Sequence, residues 1–299
     1  MTTVLDVQRF KDEGRRFAML TAYDFLSART LDEAGIPILL VGDSLGMVML
    51  GYPTTLPVTL EDMLHHAKAV ARGARQALLI GDMPFMSYQA SIEQAITSAG
   101  RFMQEAGMHG VKLEGGGRVV EITKRLTEVG IPVMGHVGLT PQFVHQMGGF
   151  KVQGKTEAQA TRIKADARAL EEAGAFSLVL EGVPSKLAAE ITASLRIPTI
   201  GIGAGPATDG QVLVLHDMLG LTTGKAPKFV KRYANLAEDF ARAATEYAED
   251  VRTGRFPGPE HEYSANGASP APISKSQGPP RTRGEASEFV GSEEARYGG

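Results

Sequence analysis

A single (β/α)8 barrel is the fold predicted for this 299-residue chain, on three observations. Short apolar runs without alternation recur along it, as strands buried on both faces do. Amphipathic segments that end near glycine separate the runs, which predicts helices laid over a parallel sheet. Eight such units fit in roughly 250 residues, the size of one barrel.

The elements follow in order. LDVQRF (5–10) precedes the first run and is predicted to close the bottom of the barrel as an N-terminal capping helix. The strands are FAMLTA (17–22), PILLVGD (37–43), ALLIGD (77–82), GVKLEG (110–115), PVMGHVG (132–138), FSLVLEG (176–182) and PTIGIGAG (198–205). Helices between them stop near Gly35, Gly73, Gly107, Gly130 and Gly174, as left-handed C-caps would. The eighth strand requires an argument. QVLVLHD (211–217) is strand-like but begins only a few residues after the seventh, and a parallel neighbour needs a crossover of about a dozen residues. TDGQVLVLHDMLG is therefore predicted as the crossover helix, capped by Thr208 or Asp209 and closed by Gly220, with KFVKRY (228–233) as strand eight. In the last helix Asn235 and Glu238 are spaced like a capping box, and Leu236, Phe240, Ala243, Tyr247 and Val251 form an apolar stripe. From about Phe256 to Gly299 the chain is rich in Pro, Gly and Ser, and Ile273 and Val290 are its only aliphatic side chains larger than alanine. Residues 256–299 are therefore expected to be mostly disordered, leaving 1–255 as the catalytic domain.

Composition narrows the function. A net charge of −3 with both signs mixed gives no electrostatic case for nucleic acid or an anionic membrane. The N-terminus carries acids and lacks an apolar core, and no run of ~18 apolar residues occurs, so a cytoplasmic protein is expected. The absence of cysteine removes thiolate metal sites and any cysteine nucleophile.

Barrel chemistry sits at the carboxyl ends of the strands. Those ends carry Asp43 and Ser44, Asp82, Lys112 and Glu114, His136, and Glu181. Neighbouring strands lie roughly 4.8 Å apart, so the acids of strands two, three and four are expected to converge on one small volume. Bare carboxylates that close repel one another unless a cation sits between them. An all-oxygen set suits a hard ion, Mg²⁺ or Mn²⁺, and the bland reading of the three acids is helix N-caps. Glu181 faces the cluster from across the barrel, as a general base toward a metal-bound substrate or as an acid paired with a nearby cation. Lys112 shares a face with Glu114 and either neutralises an anionic substrate or forms an internal ion pair. His136 either contacts substrate or braces a carboxylate. Two long loops, Ser44 to Thr59 and Gly138 to Lys155, are expected to cover the site. The turn GIGAG (201–205) has the look of a phosphate cradle, though glycines for tight packing read equally well.

The stretches VGDSLGMVMLGYPTTLPVTLEDM, GDMPFMSY, GVKLEGG, IPVMGHVGLTPQ, GGFKVQGK, LVLEGVP and IPTIGIGAGPATDGQVLVLHDMLG together resemble the 3-methyl-2-oxobutanoate hydroxymethyltransferase family, over about residues 3 to 263. The resemblance implies a (β/α)8 barrel that assembles as a homodecamer of two pentameric rings. It implies transfer of a hydroxymethyl group from 5,10-methylenetetrahydrofolate to 3-methyl-2-oxobutanoate through a Mg-stabilised enolate, giving 2-dehydropantoate in pantothenate and coenzyme A biosynthesis. By the same resemblance Asp43 and Asp82 hold Mg²⁺ directly, and Glu114 completes the site directly or through water. Ser44 and Lys112, with the metal held by Asp43 and Asp82, bind the keto acid, and Glu181 is the base. The rival readings are a metal-dependent lyase or mutase of the isocitrate lyase and phosphoenolpyruvate mutase type, a pyruvate aldolase, and a non-catalytic barrel.

Overall fold

A computed structural model of the chain describes residues 1–263 apart from Thr223 and Lys225. The segment 264–299, most of the tail expected to be disordered, lies outside the described residues. Eight parallel strands close into a barrel in sequence order. They are β1 (Phe17–Thr21), β2 (Ile38–Val41), β3 (Leu78–Asp82), β4 (Gly110–Glu114), β5 (Val133–Gly138), β6 (Ser177–Glu181), β7 (Thr199–Ile202) and β8 (Gly210–Leu213). Closure is made by β8 on β1, with Phe17 opposite Gly210 and Leu20 opposite Leu213. Side chains at alternate strand positions fill the interior, among them Met19, Ile38, Ile80, Met134, Val179 and Val212. A second apolar layer lies between the sheet and the outer helices.

The helix Val4–Asp12 begins with a capping box, in which Thr3 and Asp6 each bond the other's backbone N–H. Its Val7 and Phe10 join the interior cluster, and the Phe10 ring lies 5.5 Å from that of Phe17. This helix closes the barrel's bottom. Gly35, Gly107, Gly130 and Gly174 follow their helices at positive φ, as expected of left-handed caps. Gly73 differs. It lies within Leu60–Gly73, and a Cβ there would fall 2.4 Å from the Phe25 carbonyl oxygen, so close packing against the helix Phe25–Glu33 demands glycine.

Strand eight is not KFVKRY but residues 210–213 of the segment expected to be a helix. The connection from β7 is only 203–209, and no helix intervenes. A strand of four residues is ~13 Å long, and seven residues can span up to ~23 Å, so the short return suffices. Gly203 and Gly205 turn the chain at φ +61° and +79°, and a Cβ on Gly205 would fall 2.2 Å from Ser185 Oγ. Asp209, expected as a helix cap, anchors the return instead. Its Oδ2 accepts from the Thr199 N–H at 2.8 Å and pairs with Lys11 Nζ at 2.9 Å. The GIGAG glycines therefore serve packing and the turn. The last helix, Leu236–Thr253, lacks the capping box expected of Asn235 and Glu238. None of its residues is buried, and its stripe leaves Phe240 62% and Tyr247 59% exposed.

Candidate active site

The carboxyl ends of β2 to β6 bring the expected residues to one mouth of the barrel. β3 pairs Asp82 with Lys112 of β4, β4 pairs Glu114 with His136 of β5, and Glu181 ends β6 beside Ile202 of β7. Lys112 and Glu114 do share a face, being two apart on a strand. Asp43 follows β2 by two residues. Neither it nor Ser44 caps the short helix Leu45–Val48 with its side chain, so the bland cap reading fails there.

Asp43, Asp82 and Glu114 place carboxylate oxygens within 4.8 Å of one another. All three are buried, at 4%, 2% and 1% exposure. Lys112 Nζ lies 2.8 Å from Asp82 Oδ1 and 3.2 Å from Glu114 Oε1. His136 spans two acids, with Nδ1 3.4 Å from Glu114 Oε1 and Nε2 3.3 Å from Glu181 Oε2. Its Nδ1 also lies 3.2 Å from Lys112 Nζ.

The electrostatics follow from burial and count. Burial, then repulsion from Asp82 and Glu114, pushes the Asp43 carboxyl well above its ordinary range. Burial also raises Asp82, against the pull of Lys112 and the N–H of Asp43. Burial would raise Glu114 too, but Lys112 and His136 outweigh it and hold this carboxylate low. Burial and Lys112 would lower His136, yet Glu114 and Glu181 carry it up to about 9. Burial works against the Lys112 ammonium, but Asp82, Glu114 and Asp43 keep it charged far above its ordinary range. The cluster thus has more anionic groups than Lys112 and His136 can satisfy. Three converging oxygens with no sulfur or imidazole among them fit a hard divalent cation, and the triad can hold one.

Sequence reasoning missed the side chains that hold the triad in shape. Gln142, in the loop after β5, donates from Nε2 to Asp43 Oδ2 at 3.0 Å and to the Met83 carbonyl at 2.9 Å. Its backbone N–H donates to Glu114 Oε2 at 3.1 Å. Tyr88 OH donates to Gln142 Oε1 at 2.8 Å and accepts from the Glu114 N–H at 3.2 Å. Across the mouth, the Tyr23 hydroxyl lies 2.9 Å from Ser44 Oγ. Both Gln142 and Tyr88 lie in stretches singled out for other reasons, but no spacing rule marks them.

The triad, Ser44, Lys112, His136 and Glu181 line a cavity of about 100 Å³. Its lining is polar at Asp43, Ser44, Lys112, His136 and Glu181 and forms an apolar wall at Leu40, Val179 and Val212. Both long loops contribute, the first through Met47 and Thr55, the second through Pro141 and Phe150.

A family model described as Ketopantoate hydroxymethyltransferase matches residues 1–259. The 3-methyl-2-oxobutanoate hydroxymethyltransferase of Syntrophus aciditrophicus (strain SB) is 59% identical over 257 residues, 86% of this chain and 94% of that protein. That of Chloroflexus aurantiacus (strain ATCC 29366 / DSM 635 / J-10-fl) is 58% identical over 259 residues, 87% of this chain and 92% of that protein. Among solved structures, a 2,3-dimethylmalate lyase of the PEP mutase/isocitrate lyase superfamily superposes with a TM-score of 0.57 at 17% identity, covering 89% of this chain and 93% of that one. At that identity the likeness is one of fold. The family match takes in every strand of the barrel and every residue of the mouth, and so the chain belongs to the ketopantoate hydroxymethyltransferase family.

Proposed function

We propose that this chain transfers a hydroxymethyl group from 5,10-methylenetetrahydrofolate to 3-methyl-2-oxobutanoate, giving 2-dehydropantoate. The observation that carries the reading is a buried carboxylate triad facing a separate carboxylate, Glu181, across one small cavity. Asp43, Asp82 and Glu114 would hold Mg²⁺ or Mn²⁺. Such an ion, when bound, supplies a Lewis acid that acidifies the C3–H of a 2-oxo acid. Glu181 takes that proton, and His136, 3.3 Å from its Oε2, holds the carboxylate in place. Lys112 supplies positive charge for the substrate carboxylate, and Ser44, held by Tyr23, a hydroxyl. The wall of Leu40, Val179 and Val212 suits the branched alkyl end. The donor's methylene carbon bonds to C3 and to the oxygen of water as its two bonds to the folate nitrogens break, and those nitrogens take the C3 proton and one proton of water, so tetrahydrofolate leaves. No side-chain nucleophile is required, and the chain has no cysteine to offer as one.

Assembly as a homo-oligomer, a decamer by resemblance to the family, belongs to this reading. The exposed apolar stripe of Leu236–Thr253 supports a partner for that helix. Placement in the cytoplasm fits the finding that no described helix is long and apolar enough to cross a membrane.

The test is C3 proton exchange of 3-methyl-2-oxobutanoate in D₂O, followed by NMR with and without Mg²⁺ and then with the folate donor. Exchange that needs Mg²⁺, followed by 2-dehydropantoate when the donor is added, is expected. Exchange without transfer would replace the reading with a lyase or aldolase, and no exchange would remove Glu181 as the base.

A further inference from the structure

The larger cavity at the barrel mouth has no part in the chemistry described so far. It measures about 860 Å³ and lies between the ends of β4 and β5 and the helix Glu157–Glu172. Gly115 and Gly116, in its wall, directly follow Glu114, and Val137 directly follows His136. Phe150 lines both this cavity and the small one. The two spaces therefore meet at Phe150. A five-carbon oxo acid needs only the smaller.

The lining of the large cavity has two kinds of wall. Phe143, Met147, Phe150 and Ile163 give apolar and aromatic surface, continued by the side-chain-free backbone of Gly115 and Gly116. Lys151, Lys155 and Arg162 give positive charge. Asp166 is the sole acid in the lining, and it faces Arg162 at 3.8 Å. Lys151 and Lys155 are exposed and enter no ion pair among the described residues. A cavity lined by three cations and one acid, on a chain of net charge −3, runs against the overall sign and concentrates anions at this point. Its occupant should be flat and aromatic toward Phe150 and carry carboxylates toward the solvent edge.

We infer that this cavity seats the one-carbon donor, with its rings against Phe143 and Phe150 and its glutamate carboxylates on Lys151 and Lys155. The inference rests on the reading that the donor is a reduced folate, which is flat and aromatic at one end and carries glutamate at the other. It also orders the site: the ring bearing the one-carbon unit lies on the Phe150 side, next to Glu181 and the oxo acid.

The experiment compares wild type with the double variants Lys151→Ala/Lys155→Ala and Lys151→Glu/Lys155→Glu. Donor KM in the transfer assay is measured with mono- and triglutamyl 5,10-methylenetetrahydrofolate, and donor-free C3 exchange is followed in parallel to report a folded oxo acid site. Donor KM is expected to rise on the order of tenfold in the charge-reversed variant, more for the triglutamyl donor, while exchange persists. Wild-type donor KM should also climb with ionic strength, a readout independent of how the variants fold. An unchanged donor KM in a variant that still exchanges, or a wild-type donor KM indifferent to salt, overturns this assignment alone. A wild-type chain that exchanges the C3 proton but makes no product overturns the folate reading and the assignment with it.

Discussion

Glu181 and Asp82 both end barrel strands, yet their surroundings differ. Glu181 stands apart from the triad with His136 at its side, so Glu181→Gln keeps the shape and loses the proposed proton acceptor. Exchange at C3 is expected to fall by ~10²–10⁴ while calorimetry still shows oxo acid and Mg²⁺ binding; undiminished exchange would show that another group takes the proton. A different titration bears on stability. His109 is held below its ordinary value of 6.5 by burial, and its Nδ1 accepts the Leu79 N–H at 3.0 Å. The unfolded chain therefore takes up a proton at higher pH than the folded one. His109 helps the fold above about pH 6.5, and that help fades as pH drops toward its lower folded value. Denaturant midpoints at pH 7.5 and 5.5 should show a larger acid loss for wild type than for His109→Asn, and equal losses would clear His109. The acids of the mouth were legible because strand ends can be read from apolar runs. Gln142 was not, because its position depends on how a long irregular loop folds back, and no periodicity encodes that.

Among the elements, the N-terminal helix and the β7–β8 return show what pattern can and cannot carry. LDVQRF was readable as a plug because a short amphipathic segment ahead of the first strand has one apolar stripe and one place to bury it. Phe10→Ala is expected to cost about 3–5 kcal/mol in denaturant unfolding, since Phe10 is 7% exposed against the barrel interior. A loss below about 1 kcal/mol would mean the helix is peripheral. The return between β7 and β8 was misread because a general requirement for long crossovers outweighed a good strand pattern in QVLVLHD. Short strands, two glycines at positive φ and the Asp209 anchor lift that requirement here. The capping box of the last helix failed for a related reason. Asn235 sits at φ −131° and ψ 58°, outside the extended conformation from which a cap reaches the helix N–H groups.

For the molecule as a whole, an ion held by the crowded triad would be a term in stability as well as in the proposed chemistry. A ligand that binds only the folded chain stabilises it by about 2.7 kcal/mol when present at ~100 times its Kd. Added Mg²⁺ should raise the wild-type melting temperature, EDTA should reverse the rise, and Asp82→Ala should lose most of it. A wild-type midpoint indifferent to Mg²⁺ would mean the three carboxylates do not form a metal site. The barrel, its first seven strands and the mouth with its acids were legible from the alternation of apolar runs and glycine-ended helices, while strand eight was not. The exposure of Leu236–Thr253 was not, because an apolar stripe does not say whether its cover is its own barrel or another surface. Gln142 ties the loop after β5 to two of the three triad acids, and the same loop runs on through Phe150 and Lys151 to the rim of the larger cavity. Docking of this loop and binding of an ion by the triad would therefore be linked functions in the thermodynamic sense. Whatever factor the ion applied to docking, docking would return to the ion's affinity, so a substitution far out on the loop is expected to shift ion affinity without touching any of the three carboxylates.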